Sequence, residues 1–159
     1  MKKLIIVALA LNCACALAAQ PALLEGALQC KLADKDLASM MRALAAANPG
    51  MAKPAFQYGA PTVNVYQLAA PVTAFGYSSS TIAVMPGRIL LAVSGTSLAA
   101  ASARLKLEEQ SFSPASRTVR PTVSVVAFQL SHKALEGKLL LGCEYGSAAA
   151  AAWSGADGF

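Results

Sequence analysis

The chain has 159 residues, of which 56% are apolar and only 13% are charged. These proportions exclude a long disordered chain, because disorder follows from low hydrophobicity and high net charge. The length is typical of one domain and allows an apolar core without a metal or a dense set of disulfides. Alanine supplies much of the apolar share and aromatic residues only 6%, so the predicted core is mainly aliphatic.

The N-terminus has the pattern of a bacterial export signal. Two lysines follow the initiator methionine, an unbroken apolar run occupies residues 4–11, and small residues precede Ala19 at the spacing that signal peptidases accept. The run is too short for a membrane span, which needs about 20 residues. We therefore predict a signal peptide over residues 1–18, cleavage between Ala18 and Ala19, and a single exported domain over residues 19–159.

Charge and motifs exclude several classes of function. Loss of the two signal lysines lowers the formal charge from +5 to +3, and the remaining basic residues form no cluster of the kind that nucleic-acid binders use. The sequence has no Gly-rich phosphate loop, no dinucleotide fingerprint and no plausible set of zinc ligands. We expect no cofactor, no metal, no nucleic-acid partner and no membrane span in the mature protein.

Two cysteines, Cys30 and Cys143, remain after signal cleavage. In an oxidising compartment such a pair forms a disulfide, so we predict this bridge and a periplasmic or secreted protein. Apolar and polar residues alternate around each cysteine, which predicts strands over residues 27–32 and 138–145. These would be the first and last strands of the domain, and the bridge would place them next to one another.

A helix is predicted after the first cysteine, with Asp34 as its cap and an ordered connection over residues 51–61 after it. Its apolar residues Leu37, Met40, Met41 and Leu44 follow helical spacing. Strand signals then cover residues 62–69, 72–77, 81–85, 88–94, 122–130 and 138–145. We predict turns at Pro86-Gly87 and at the polar serines 78–80. A second helix is predicted over residues 98–107. A short Ala/Gly-rich tail begins at about residue 147.

This order, β-α-β-β-β-β-α-β-β, predicts an α+β fold. The expected architecture is an antiparallel sheet of about five to seven strands with two helices packed on one face.

His132 is the only histidine and lies at a predicted turn between Ser131 and Lys133. No nucleophile motif accompanies it: the glycine at residue 76 precedes a serine run, but the second glycine of a nucleophile elbow is missing. The sequence therefore favours a protein that is not an enzyme. A small hydrolase that uses His132 with an acid such as Glu144 is an alternative.

Arginine is favoured at protein interfaces, which makes Arg88, Arg117 and Arg120 candidate partner-binding residues. The latter two lie in a predicted Ser/Pro-rich loop, where function often resides. The leading hypothesis is a non-catalytic exported domain that binds another exported protein or an envelope component, such as an inhibitor, an immunity-type protein or an accessory factor. The alternative is an apolar small-molecule or lipid carrier, with a ligand held by Met40, Met41, Phe75 and Leu91.

Overall fold

The computed structural model describes residues 22–154. The predicted signal peptide, the Ala18–Ala19 cleavage site and the last residues of the tail lie outside this range. The described chain has an α+β fold with one antiparallel sheet of eight strands and four helices. The predicted fold class is confirmed, but the sheet is larger than the five to seven strands expected, and the described residues contain four helices rather than the two predicted.

The strands are β1 Phe56–Tyr58, β2 Val63–Ala74, β3 Tyr77–Met85, β4 Arg88–Val93, β5 Glu108–Gln110, β6 Ser113–Arg120, β7 Val123–Phe128 and β8 Leu139–Tyr145. The helices are α1 over residues 22–28, α2 Leu37–Ala47, α3 Leu98–Leu105 and α4 Ala148–Ala151. Short 3₁₀ turns occupy Asp34–Asp36, Pro49–Met51, Lys133–Leu135 and Ala152–Ser154.

The strand order is β1-β2-β3-β4-β8-β7-β6-β5. Two four-stranded meanders, β1–β4 and β5–β8, therefore meet through their last strands at the centre of the sheet. The central pair is antiparallel, with Leu91 opposite Leu141 and Ile89 opposite Cys143. This topology leaves β1 and β5 as the two edges of the sheet, and each is only three residues long.

Successive strand residues point to opposite faces, so the sheet has two apolar sides. On one side, Ile89 and Leu91 belong to the main core, which the helices cover. On the other side, Leu90 and Leu140 belong to a second cluster, to which Leu135 of the β7–β8 connection contributes. The predicted placement of helices on one face agrees with this division.

The first predicted strand is wrong, because residues 22–28 form α1 and the chain turns at residues 29 and 30. The apolar residues Leu24, Ala27 and Leu28 are fully buried and follow helical spacing. The short alternation around Cys30 overlaps the end of this helix and was misleading. Cys30 itself has a left-handed backbone, with φ of 63°.

The first predicted helix is confirmed as α2, and its four predicted apolar residues are all buried. The predicted cap is wrong: the N-cap residue is Asp36, which makes no capping hydrogen bond with its side chain. Asp34 instead begins the preceding 3₁₀ turn. Its carboxylate accepts a hydrogen bond from the Arg120 guanidinium. The side chain that was expected to cap the helix therefore binds a residue distant in sequence.

The predicted strand 62–69 and the first three residues of the predicted strand 72–77 form one strand, β2, which has an irregular pairing between Gln67 and Val72. A proline has no N–H to donate, and this unpaired stretch tolerates it. The predicted serine turn is also wrong, since residues 78–80 belong to β3. The true turn is Phe75-Gly76, where both residues have positive φ, as type I′ hairpins require.

Residues 51–61 contain the edge strand β1, and the predicted Ser/Pro loop contains β6. Both differ from prediction because pairing with a neighbouring strand, rather than local propensity, decides whether such short or Ser/Pro-containing segments form strands. The Pro86-Gly87 turn is confirmed, with Met85 paired to Arg88. The second helix is confirmed as α3, although it ends at Leu105, and the Ser97 hydroxyl accepts a hydrogen bond from the amide of Ala100.

Candidate functional site

The Cys30–Cys143 disulfide is present, with the two Cα atoms 5.2 Å apart. The predicted pairing is confirmed. Its setting differs from the prediction, because it joins the end of α1 to the central strand β8 rather than one strand to another. Such a bond fits an extracellular or periplasmic protein.

Arg120 is committed to contacts within its own chain. Its guanidinium donates to the backbone oxygens of Cys30, at 2.9 Å, and of Leu32. It also pairs with the Asp34 carboxylate at 3.3 Å. Hydrogen bonds from a charged donor to carbonyl oxygens are stronger than those between neutral groups. Arg120 therefore ties the segment after α1 to β6.

We expect Arg120→Met to lower the free energy of unfolding by about 2 kcal/mol, because hydrogen bonds from a charged donor contribute roughly 1.5–3 kcal/mol. Urea denaturation measures this change. Arg42→Met, at an exposed position on α2, is the matched control and should change stability by less than about 0.5 kcal/mol. Equal effects of the two variants would contradict this role of Arg120.

Tyr145 holds the same end of α1. Its hydroxyl donates to the Ala27 carbonyl at 2.8 Å, and its side chain is 1% exposed. Burial raises the pKa of Tyr145 to about 12, although the nearby Arg120 charge opposes this shift. The group therefore stays a neutral donor at physiological pH.

The other two candidate arginines also contact their own chain. Arg88 forms an ion pair with Glu144, its opposite residue on β8, and lies 5.5 Å from the centre of the Phe128 ring. Arg117 donates to the carbonyl of Leu105 at 3.0 Å. β4 and β6 are three strand spacings apart, roughly 14 Å. The three predicted binding residues therefore do not form one patch.

His132 lies in an aromatic stack on the side of the sheet opposite the helices. Its ring centre is 4.0 Å from that of Tyr58 and 5.6 Å from that of Phe56, and all three rings are close to parallel. Its Nδ1 atom accepts a hydrogen bond from the amide of Ala134 at 3.2 Å. The histidine thus caps a 3₁₀ turn and packs it onto β1. Burial also raises the pKa of the Tyr58 hydroxyl above its ordinary value.

The structure does not bring His132 and Glu144 together as an acid–base pair, since Glu144 pairs with Arg88. The pocket beside His132 is lined by Ser131, Lys133 and Glu136 instead. Within residues 22–154, no group of three or more His, Cys, Asp or Glu side chains could hold a metal ion.

We expect His132→Ala to reduce stability by about 2 kcal/mol, because it removes both a cap and an aromatic contact. His132→Asn retains an acceptor for the Ala134 amide and should lose about half as much. Chemical denaturation of both variants measures the difference. Identical losses would show that the hydrogen bond from Ala134 contributes nothing.

The side chains considered for an apolar ligand fill the main core. Met40, Met41 and Leu91 are at most 2% exposed, and the half-buried Phe75 packs against the same cluster. Methionines commonly fill irregular gaps in such cores.

Phe112 is the feature that packing does not explain. Among the described residues, the large apolar side chains that are exposed are Phe112, which is fully exposed, and Val119, at 46%. Phe112 lies at the tip of the β5–β6 hairpin, next to the paired residues Gln110 and Ser113. Its φ is 64°, in the left-handed region that non-glycine residues seldom occupy. Sequence reasoning missed this residue, because a lone aromatic in a polar run marks the position but does not reveal its exposure.

A small apolar depression lies near the opposite edge of the sheet. It has a volume of about 210 Å³ and lies where the pairing of β2 is irregular. We call it the β2 hollow, and its lining consists of Glu25, Asn48, Pro49, Gly50, Leu68, Ala69, Ala70, Pro71 and Val72.

No protein-family model, curated protein or solved structure matches the chain. Within residues 22–154, no helix is long and apolar enough to cross a membrane. Function is therefore inferred from the residues themselves.

Proposed function

We propose that this chain is a non-catalytic interaction domain of the periplasm or extracellular space that binds another protein through Phe112. The observation that carries the proposal is a phenyl ring fully exposed at the tip of a hairpin. Burying such a ring is worth about 1.5–3 kcal/mol, and a left-handed backbone costs a non-glycine residue roughly 1–2 kcal/mol. A complex that covers the ring would gain the free energy of its burial.

The hairpin presents Phe112 on a firm support. β6 pairs with β7 from Ala115 to Arg120, and β7 pairs with the central strand β8. Arg117 also connects β6 to the end of α3 through the Leu105 carbonyl. A ring on an ordered turn loses little conformational freedom on binding, so more of its burial appears as affinity.

The surroundings of the ring favour a protein partner over an anionic membrane surface. Glu108 and Glu109 are exposed on β5, and the exposed residues next to the ring, Gln110, Ser111 and Ser113, are uncharged. Carboxylates would repel a negatively charged bilayer. The complementary partner has an apolar pocket with a neutral or basic rim.

A photo-reactive phenylalanine analogue at position 112 tests this proposal in cells that produce the full chain. We expect one discrete cross-linked product whose mass identifies the partner. The same analogue at Val119, also exposed on this hairpin, is the matched control and should give no such product. Absence of any product from position 112, or the same products from both positions, would contradict the proposal.

The export hypothesis has its own test, which is mass spectrometry of the native protein. We expect a chain that begins at Ala19 and is lighter by two hydrogens because of the disulfide. The disulfide supports export because such bonds persist in oxidising compartments. An intact precursor with free thiols at Cys30 and Cys143 would contradict it.

A further inference from the structure

The β7–β8 connection covers part of the apolar side of the sheet that the helices do not cover. Its 3₁₀ turn, Lys133–Leu135, carries Leu135, which is 1% exposed and belongs to the second apolar cluster with Leu90 and Leu140. We call residues 131–136 the His132 turn. Opening of this turn would expose Leu135 and the cluster beneath it to water.

Side chains, rather than backbone hydrogen bonds, attach the His132 turn to β1. The backbone amides of Leu135 and Lys138 donate to the carbonyls of His132 and Leu135, at 2.8 and 3.0 Å, so these bonds stay within the connection. The contact with β1 is the ring stack, in which the His132 ring centre lies 4.0 Å from that of Tyr58. The ring of His132 and the side chain of Leu135 therefore decide whether the turn is closed.

The closed turn has an unfavourable feature at Tyr58. The Tyr58 hydroxyl oxygen is buried and forms no hydrogen bond within residues 22–154. A buried hydroxyl without a partner destabilises the state that buries it. Because the His132 ring covers the Tyr58 ring, opening of the turn lets water reach this group.

Protonation of His132 removes one contact of the closed turn. Its Nδ1 atom accepts a hydrogen bond from the amide of Ala134 at 3.2 Å, so this nitrogen carries no proton there. A proton on Nδ1 would convert the acceptor into a donor and leave two N–H groups facing each other. The ring stack survives protonation, since cations also pack against aromatic faces. The hydrogen bond from Ala134 is thus the contact that acid breaks.

The charged groups around His132 do not compensate for this loss. Lys133 and Glu136 line the pocket beside the ring and carry opposite charges. On the β1 side, Phe56 has no ionisable group, and the hydroxyl of Tyr58 stays neutral because burial raises its pKa. In the part of the chain that the structure describes, no carboxylate forms an ion pair with His132.

We infer that the His132 turn is an acid-sensitive cover of the second apolar cluster, closed when His132 is neutral and loosened when it is protonated. Histidine changes charge between about pH 8 and 5. The open turn binds more protons than the closed turn in this range, so a fall in pH favours opening. A cap of typical strength corresponds to about a five-fold change in the opening equilibrium. This inference goes beyond the proposed function and does not depend on Phe112.

Hydrogen exchange of the whole protein, measured by mass spectrometry at about pH 7.5 and about pH 5.5, tests the opening. Each rate is divided by the rate of an unfolded chain at the same pH, so that only protection is compared. We expect the protection of residues 131–138 to fall about five-fold from the higher to the lower pH. The protection of β8 should stay constant, because its strand pairing involves no titrating group.

Two substitutions distinguish the histidine from the other titratable group of the pocket. His132→Asn retains an acceptor for the Ala134 amide at both pH values and should abolish the pH dependence. Glu136→Gln is the matched control and should retain it in full. Circular dichroism checks that each variant is folded, and His132→Ser, which also keeps an acceptor, replaces His132→Asn if the latter is not.

Equal protection of residues 131–138 at the two pH values in the wild-type protein would overturn the inference. So would a pH dependence that persists in His132→Asn or disappears in Glu136→Gln. A loss of protection that extends equally to β8 would also overturn it, because acid would then unfold the whole sheet rather than open this turn.

Discussion

Removal of the Cys30–Cys143 disulfide should lower the free energy of unfolding by about 4–5 kcal/mol, as in the double variant Cys30→Ala/Cys143→Ala. The cysteines are 113 residues apart in sequence, and a cross-link over about 100 residues restricts the unfolded chain by roughly 4.7 kcal/mol at 25 °C. The loss is large relative to a total stability of about 5–15 kcal/mol. Urea denaturation of the oxidised wild type and the double variant measures it.

Reduction of the wild-type protein should produce nearly the same loss. The double variant is the control, since a reductant has no bond to break in it and should leave its denaturation midpoint unchanged. If reduction leaves the wild-type midpoint unchanged, the bridge does not stabilise the fold. If loss of the bridge unfolds α1 alone, the urea transition of the reduced protein would be shallower than that of the oxidised protein. This outcome is the alternative to a uniform loss of stability, because the bridge anchors α1 to β8.

The pairing of the two cysteines could be predicted from the sequence, whereas their setting could not. Export leaves one possible pair, so chemistry alone selects it. Residues 27–32 fit the helical and the strand periodicity in part, so they could not decide whether Cys30 follows a helix or lies in a strand. Leu24, at the start of the helical pattern and fully buried, decides in favour of α1.

The candidate arginines show the same limit. Their type and loop-like sequence suggested binding, but Arg120 contacts oxygens of residues about 90 positions earlier in the chain. Contacts of this length depend on the complete sheet, and local patterns do not contain them. The same holds for the β2 hollow, which exists because α2 ends beside the irregular part of β2.

The apolar spacing of α2 was predictable because helical periodicity over four core residues is a strong local signal. The exposure of Phe112 was not, because an aromatic residue in a polar run fits a buried anchor and an exposed one equally well. Its position at the outer edge follows from the strand order β8-β7-β6-β5. The environment of Phe112, on which the proposed function rests, thus depends on tertiary structure.

Trp153 gives the second large expected effect: Trp153→Ala should cost about 3–5 kcal/mol, as truncation of a buried aromatic does. The side chain is 2% exposed, packs edge-on against Tyr145 with ring centres 5.4 Å apart, and donates its indole N–H to the Leu37 carbonyl at 2.9 Å. It therefore fastens the alanine-rich C-terminal helix α4, which is too short to be stable alone, to the start of α2.

Trp153→Phe separates packing from hydrogen bonding, since it keeps an aromatic ring and loses the N–H donor. We expect it to cost about 1–2 kcal/mol from the lost hydrogen bond and reduced volume. Thermal and urea unfolding followed by circular dichroism measure both variants, because they lack the chain's single tryptophan.

In the wild type, the indole fluorescence should shift to longer wavelength in the same transition that unfolds the sheet. A separate, earlier fluorescence change would mean that the C-terminal segment detaches independently, and Trp153→Ala would then leave the main transition unchanged.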